Sequence, residues 1–284
     1  MTSRALRFWV AACVSAIAAF ALAGCDGDGS NDSTDTVVRI SGSGTCLPLL
    51  RVLTDAYERE HNVRFVYLPG LHSSGGIKGV AHGDLDIGAV SRDLTAEERE
   101  FGLDYVPLSD DGLAVAVHPS AALTALSSKQ LREVYEGRYA NWSELGGADT
   151  PIVILDRNED ESAKMILRQY VLDDAAIAED AIVLSYEQDM FDAIVMTEGA
   201  IGYFSLGGGL SGDIDVSYVA LDGVAPTVDA IESGAYEMVR PLGVVVSPRA
   251  EGIVRDFIAW ASSDDARLLL QEHGFARPLD SIGE

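Results

Sequence analysis

From residue 37 onward, short apolar runs alternate with stretches in which an apolar residue recurs every three or four positions. Val37-Val38-Arg39-Ile40 reads as a strand closed by Ser41-Gly42-Ser43-Gly44-Thr45. Leu47 to Glu60 places Leu50, Leu53 and Tyr57 on one helical face and Arg51, Asp55 and Glu58 on the other. Arg64 to Leu68 is a second strand, stopped by Pro69-Gly70, and Ser73-Ser74-Gly75-Gly76 introduces a short, serine-capped helix over Ile77 to His82. Leu85 to Val90 and Leu113 to Val117 are further strands. The pattern then repeats in kind. Helices are expected over 127–135 (capped by Ser127 or Ser128), 161–171, 190–196, 252–262 and 266–274. Strands are expected over 152–155, over 201–205 closed by Gly207-Gly208-Gly209, and over 239–247 with an interruption at Pro241. Strands separated by helices predict a mainly parallel α/β fold, and the repetition predicts two sheets rather than one.

The first residues follow a different rule. Arg4 and Arg7 precede an uncharged apolar run from Phe8 to Ala23, too short for a comfortable membrane span, and the chain turns polar at Asp26. This is the pattern of a secretory signal. Its end, Leu22-Ala23-Gly24-Cys25, resembles the lipobox of bacterial lipoproteins, which implies cleavage before Cys25 and acylation of that residue. Residues 1–25 are therefore expected to be a lipoprotein signal peptide. Residues 26–36, rich in Gly, Ser, Asp and Asn, are expected to be a flexible tether. The location implied is extracytoplasmic, in a periplasm or on a cell surface, with the membrane reached through lipid on Cys25.

The formal net charge of -25 argues against nucleic acid as a partner, because such binding needs a basic surface. An anion site in so acidic a chain has to supply its own local donors. Removing Cys13 with the signal and lipidating Cys25 leaves Cys46 alone, so no internal disulfide is expected. The five histidines are scattered, no metal-ligand spacing is readable, and neither metal nor cofactor is expected.

Four loops after strands carry the candidate chemistry, and in open α/β sheets ligands bind at such loops. Ser41 to Cys46 combines glycines, which admit an anion close to the backbone, with a helix start; His72 to Gly76 offers serine hydroxyls. Both also read as ordinary helix caps. Gly88 to Arg92 ends in an arginine that reads first as a surface ion pair. Asp156 to Lys164 reads either as a charged solvated face or as Arg157 placed to grip an oxyanion with its planar fork. No G-x-x-x-x-G-K-[ST] and no G-x-S-x-G occurs, so the loops point to binding rather than turnover. Ser91 beside His72 or His82 is the one hydrolytic arrangement conceivable.

In order along the chain, Gly42-Ser43-Gly44-Thr45, Ser73-Ser74-Gly75-Gly76-Ile77-Lys78, Asp86 to Arg92, Asn141-Trp142 with Gly146-Gly147, Gly199-Ala200-Ile201-Gly202-Tyr203 and Arg240-Pro241-Leu242 are similar to segments of a known family. The chain resembles the phosphate-binding proteins of bacterial phosphate ABC importers. The resemblance implies an α/β, two-lobed periplasmic-binding-protein-like (type II) fold with the ligand in a cleft. Lobe one would be 37–114 plus 242–284, and lobe two 115–241. It further implies a monomeric, non-enzymatic binder of phosphate or a similar oxyanion that partners the membrane subunits of an ABC importer. Its site would comprise Thr45, Cys46 through its N–H, Ser73, Ser91, Arg157 and Ser162. The fourth loop departs from the family's R-x-x-G-S-G-T: both glycines and the threonine are gone, and the arginine stands one residue further from the serine. Cys46 stands where the family often has an aromatic. A ligand-sensing or adhesion-type binding lipoprotein without a transport role is the alternative.

Overall fold

The computed structural model describes residues 36–279. The expected signal segment, Cys25 and nearly all of the expected tether lie outside the described residues. Along the chain come β1 (Thr36–Gly42), α1 (Leu47–Glu58), β2 (Val63–Tyr67), α2 (His72–His82), β3 (Ile87–Val90), α3 (Ala96–Arg99) and β4 (Asp104–Val117). Then follow β5 (Ala125–Leu126), α4 (Ser128–Tyr135), β6 (Val153–Arg157), α5 (Ser162–Leu167), β7 (Ile182–Leu184), α6 (Glu187–Met196), β8 (Ala200–Ser205) and α7 (Leu206–Ser211). The described chain ends with β9 (Ser217–Tyr218), β10 (Ala220–Leu221), α8 (Val228–Glu232), β11 (Val239–Val246), α9 (Ile253–Ala261) and α10 (Asp264–Glu272).

Hydrogen-bonded strands run in the order β2-β1-β3-β11-β4-β8-β6-β7, with β9 also on β4. Strands β1, β2 and β3 are parallel, as are β6, β7 and β8. The expected two sheets are thus one continuous path, and β4 explains why. Its first half pairs antiparallel with β11, from Asp104 opposite Val246 to Gly112 opposite Val239, while its second half pairs antiparallel with β8. The first half was unreadable in the sequence because Pro107 and Asp110-Asp111-Gly112 look like turn chemistry. A register shift between Leu242, opposite Ser109, and Gly243, opposite Pro107, leaves Leu108 as the extra residue, and Arg240 lies directly opposite Asp111.

Two apolar cores flank this crossing. One gathers Val38, Ile40, Leu49, Leu53, Phe65, Val244, Phe257 and Leu270. The other gathers Val115, Val117, Leu131, Tyr135, Trp142, Leu155, Leu167, Met190, Ile201 and Phe204. Ile77, Val80, Val90 and Val245 make a smaller cluster on the opposite face from the first core; consecutive residues of β11 alternate between the two, as the strand pleat requires.

Three local expectations change. Ser73 to Gly76 are the first turn of α2 rather than its prelude, and the preceding residue makes no side-chain cap bond. Gly207-Gly208-Gly209 are helical, within α7. The single helix expected over 161–171 is α5 followed by a π-helical turn, Arg168–Leu172. Close backbone packing holds α2 on its strands. A Cβ on Gly76 would stand 2.9 Å from Gly42 Cα, and one on Gly42, whose φ is +136°, would stand 2.3 Å from Ala89 O.

Candidate functional site

The glycine contacts seat the first turn of α2 against the ends of β1 and β3, and this brings serines from separate loops together. Ser43 Oγ donates to Ser91 Oγ at 2.7 Å, and Ser91 N donates to Ser73 Oγ at 3.2 Å. Ser162, at the start of α5, closes the group with its Oγ 3.0 Å from Ser91 Oγ. Arg240 Nη1 donates to Ser162 Oγ at 3.0 Å.

Beside the hydroxyls runs a row of buried charges. Arg240 binds Asp111 Oδ2 through Nε and Nη2 at 3.3 and 3.2 Å, while Asp111 Oδ1 accepts from Ser205 Oγ and Gly207 N. Burial pushes the Asp111 carboxyl up to about 6, with Arg240 and these two donors pulling the other way. Glu187, at the start of α6, accepts from Ser205 N at 2.7 Å, from Thr45 Oγ1 at 3.1 Å and from Arg157 Nη1 at 3.1 Å. Arg157 Nη2 reaches Glu161 Oε2 at 3.2 Å, and His72 Nδ1 lies 2.9 Å from Glu161 Oε1. Arg157 is 3 % exposed, and its Nε has no hydrogen-bond partner among the described residues.

A second buried pair supports Arg157 from behind. Lys164 Nζ donates to both oxygens of Asp156 at 2.7 and 2.6 Å, Tyr203 Oη donates to Asp156 Oδ1 at 2.6 Å, and Arg157 N donates to Tyr203 Oη at 3.0 Å. This fixes the end of β6, and it turns Lys164 away from the cleft.

Two cavities adjoin here. One, of about 350 Å³, is lined by Gly42, Thr45, His72, Arg157, Glu161 and Glu187. The other, of about 260 Å³, is lined by Ser43, Ser73, Ser91, Arg92, Glu161 and Ser162. His72 and Glu161 line both.

Five of the six site residues expected from sequence therefore meet: Thr45 and Arg157 on the first cavity, Ser73, Ser91 and Ser162 on the second. Cys46 does not face the cleft. Its N–H is used in a turn to Ser43 O at 3.1 Å, its thiol is fully buried 3.4 Å from Gly243 O, and burial pushes that thiol up to about 12. The residue holds the start of α1 instead. Arg92 is engaged as an ion pair, with Nη1 and Nη2 on Glu98 at 2.7 and 2.8 Å. Among the described residues Ser91 Oγ meets only hydroxyls, His72 pairs with Glu161 and His82 lies at the far end of α2, so neither serine–histidine arrangement conceived for hydrolysis forms. Glu187, Asp111 and Arg240 were not expected in the site. Glu187 sits among Glu187-Gln188-Asp189, which reads as the acidic first turn of any helix, and Asp111 hides in a turn-like Asp-Asp-Gly.

With this geometry fixed, similarity to known proteins becomes informative. The family model described as the PBP superfamily domain matches residues 29–265. The chain belongs to the PBP superfamily. This PBP superfamily member is 29 % identical to phosphate-binding protein PstS of Bacillus subtilis over 231 residues, 80 % of this chain and 75 % of that protein. It is 26 % identical to phosphate-binding protein PstS of Borreliella burgdorferi over 254 residues, 86 % of this chain and 91 % of that one. Among solved structures it is similar to a Clostridium perfringens chain assigned as a phosphate ABC transporter substrate-binding protein and solved with phosphate bound. The TM-score is 0.73 and the identity 25 %, with 86 % of this chain and all of that one covered. An ABC-type phosphate transport receptor from Vibrio cholerae superposes with a TM-score of 0.63 at 28 % identity, over 85 % of this chain and all of the receptor. The two-lobed fold expected from sequence is the fold of these neighbours.

Proposed function

We propose that this PBP superfamily member is the extracytoplasmic binding component of a phosphate ABC importer, holding phosphate between residues of 37–114 plus 242–284 and residues of 115–241. The observation that carries the reading is the convergence of Ser43, Ser73, Ser91 and Ser162 hydroxyls beside Arg157 and Thr45, contributed from both sides of the β4–β11 crossing. Hydroxyls and one planar guanidinium bind a desolvated oxyanion without a surplus of buried cations, which suits an acidic protein. Glu187 supplies an acceptor in the same cleft; a protonated oxyanion can satisfy it and fully ionised sulfate cannot. Among the described residues, the Ser43, Ser73, Ser91 and Ser162 hydroxyls bond to one another and to Arg240 rather than to a base, and Glu187, which takes the Thr45 hydroxyl, is itself held by Arg157 and Ser205 N, which favours binding over turnover. Cys25 carries the lipid that tethers a monomeric domain to a membrane and its importer subunits.

Calorimetry with inorganic phosphate tests this. Binding well below millimolar, with sulfate much weaker, is expected. An absence of heat with phosphate, arsenate, sulfate and molybdate alike contradicts the oxyanion reading.

A further inference from the structure

Glu161 stands on the one residue the site can least spare. Its carboxylate takes Arg157 through one oxygen at 3.2 Å and His72 through the other at 2.9 Å, so it reaches across the cleft from the start of α5 to the first residue of α2. An acid at this position next to a helix start would ordinarily accept from the helix's own N–H groups. Glu161 makes no such cap bond. Its orientation is set by the cleft. It is buried at 9 % exposure, although Glu159 and Asp160 just before it are exposed. It also lines both cavities with His72, and the contact lies where an ion spanning the serines and Arg157 would have to sit.

Charge decides what this means. Two guanidiniums, Arg157 and Arg240, face three carboxylates, Glu161, Glu187 and Asp111, which leaves the buried row one negative charge in excess when His72 is neutral. Glu187 and Asp111 are each held by backbone N–H groups and hydroxyls as well as by arginine. Among the described residues, Glu161 is held through its carboxylate only by the two side chains His72 and Arg157, and its loop opens to solvent. It is the acid that can leave. Arg157, with Nε unpartnered and Nη2 left with only the long 3.5 Å bond to Ser185 O among the described residues, then presents that edge to a ligand.

We propose that Glu161 is a built-in competing anion, an affinity-setting residue that bridges Arg157 and His72 and must swing out for an oxyanion to reach Arg157. The inference rests on the oxyanion-binding reading of the same cleft. Displacement costs the same free energy for every anion that reaches Arg157, so it lowers the affinity without reordering the anions.

The test is calorimetric titration of inorganic phosphate into the wild-type protein, Glu161→Gln and Asp160→Asn. Asp160→Asn removes the same charge from the rim of the cleft without touching Arg157. Glu161→Gln is expected to bind phosphate at least tenfold more tightly than wild type, and Asp160→Asn within threefold of it. Equal gains in both variants reduce the effect to general electrostatics and overturn the proposal. Weaker or unchanged binding in Glu161→Gln, with Glu161 then a ligand contact or a bystander, overturns it as well while leaving the oxyanion reading intact. Silence in all three proteins is the separate result that removes that reading.

Discussion

Replacing Arg157 by alanine is expected to cost both affinity and stability, by separable amounts. The guanidinium is buried between Glu187 and Glu161 at 3.1 and 3.2 Å. Breaking a buried ion pair by removing one partner costs about 3–5 kcal/mol, because a charge is left without compensation. Here the lower figure applies. Glu187 keeps the Thr45 hydroxyl and the Ser205 N–H, and Arg240 remains 3.9 Å away, while Glu161 is free to turn to solvent. A loss of about 3 kcal/mol in a domain of this size lowers Tm by roughly 6–12 °C. For the ligand, truncating a buried hydrogen-bonded charge costs about 2–5 kcal/mol, or roughly thirty- to several-thousand-fold in Kd. Denaturant melts measure the first quantity. Titration with phosphate, well below the lowered Tm, measures the second. Arg157→Lys keeps the charge without the fork and should fall between. A folded Arg157→Ala protein that binds phosphate within threefold of wild type would remove Arg157 from the ligand, and the hydroxyl cluster with Arg240 would then have to hold the ion.

Lys164→Met, which strands Asp156 in the interior, should destabilise by about 3–5 kcal/mol, and the double variant with Asp156→Leu should recover most of it; an equally unstable double variant in chemical denaturation contradicts the pairing. The fold favours the protonated form of Asp111, so this group's contribution to stability is greatest below about pH 4 and is lost as pH rises to about 6. The loss is on the order of 3 kcal/mol from a shift of about two pH units, and a stability difference between wild type and Asp111→Asn that does not vary between pH 4 and 7 would rule it out. Cys46 should resist alkylation in the native protein and react on unfolding, because it is inaccessible and its thiol is held up at about 12; rapid native labelling contradicts its placement. Gly42→Ala should destabilise by several kcal/mol, since φ of +136° and a 2.3 Å approach to Ala89 O leave no room for a methyl; a melt unchanged from wild type would exclude this close approach of Gly42 to β3.

The elements with strong periodicity were legible. Helix α1 shows its apolar face in Leu50, Leu53 and Tyr57, and these are buried. Strand β8 is apolar throughout Ala200 to Phe204 and is buried throughout. The long crossing strand β4 was half hidden. Its polar segment is satisfied from far along the chain, Ser109 and Asp110 by Ala276 and Leu279 and Asp111 by Ser205, Gly207 and Arg240, and no local pattern announces partners that far away in sequence. The candidate site divides along the same line. Thr45, Ser73 and Ser91 sit in segments whose small residues mark them out, while Arg157 and Ser162 stand in a charged run and are marked by an arginine that ends a strand just before a helix start. Glu187 and Arg240 come from ordinary-looking helix and strand segments, and only folding reveals them as neighbours of Arg157 and Asp111. For Cys46 the sequence places the N–H in the loop but does not show that Ser43 O takes it.

If the serine cluster and Arg157 hold one phosphate ion together, a diffraction structure of the phosphate-bound protein will show it. The expected density is a tetrahedral ion with oxygens about 2.7–3.2 Å from hydroxyls among Ser43, Ser73, Ser91, Ser162 and Thr45, and from the Arg157 fork, with Glu161 turned away from Arg157. Phosphate bound outside these two cavities, or bound within them while Arg157 remains on both Glu161 and Glu187, would contradict this arrangement.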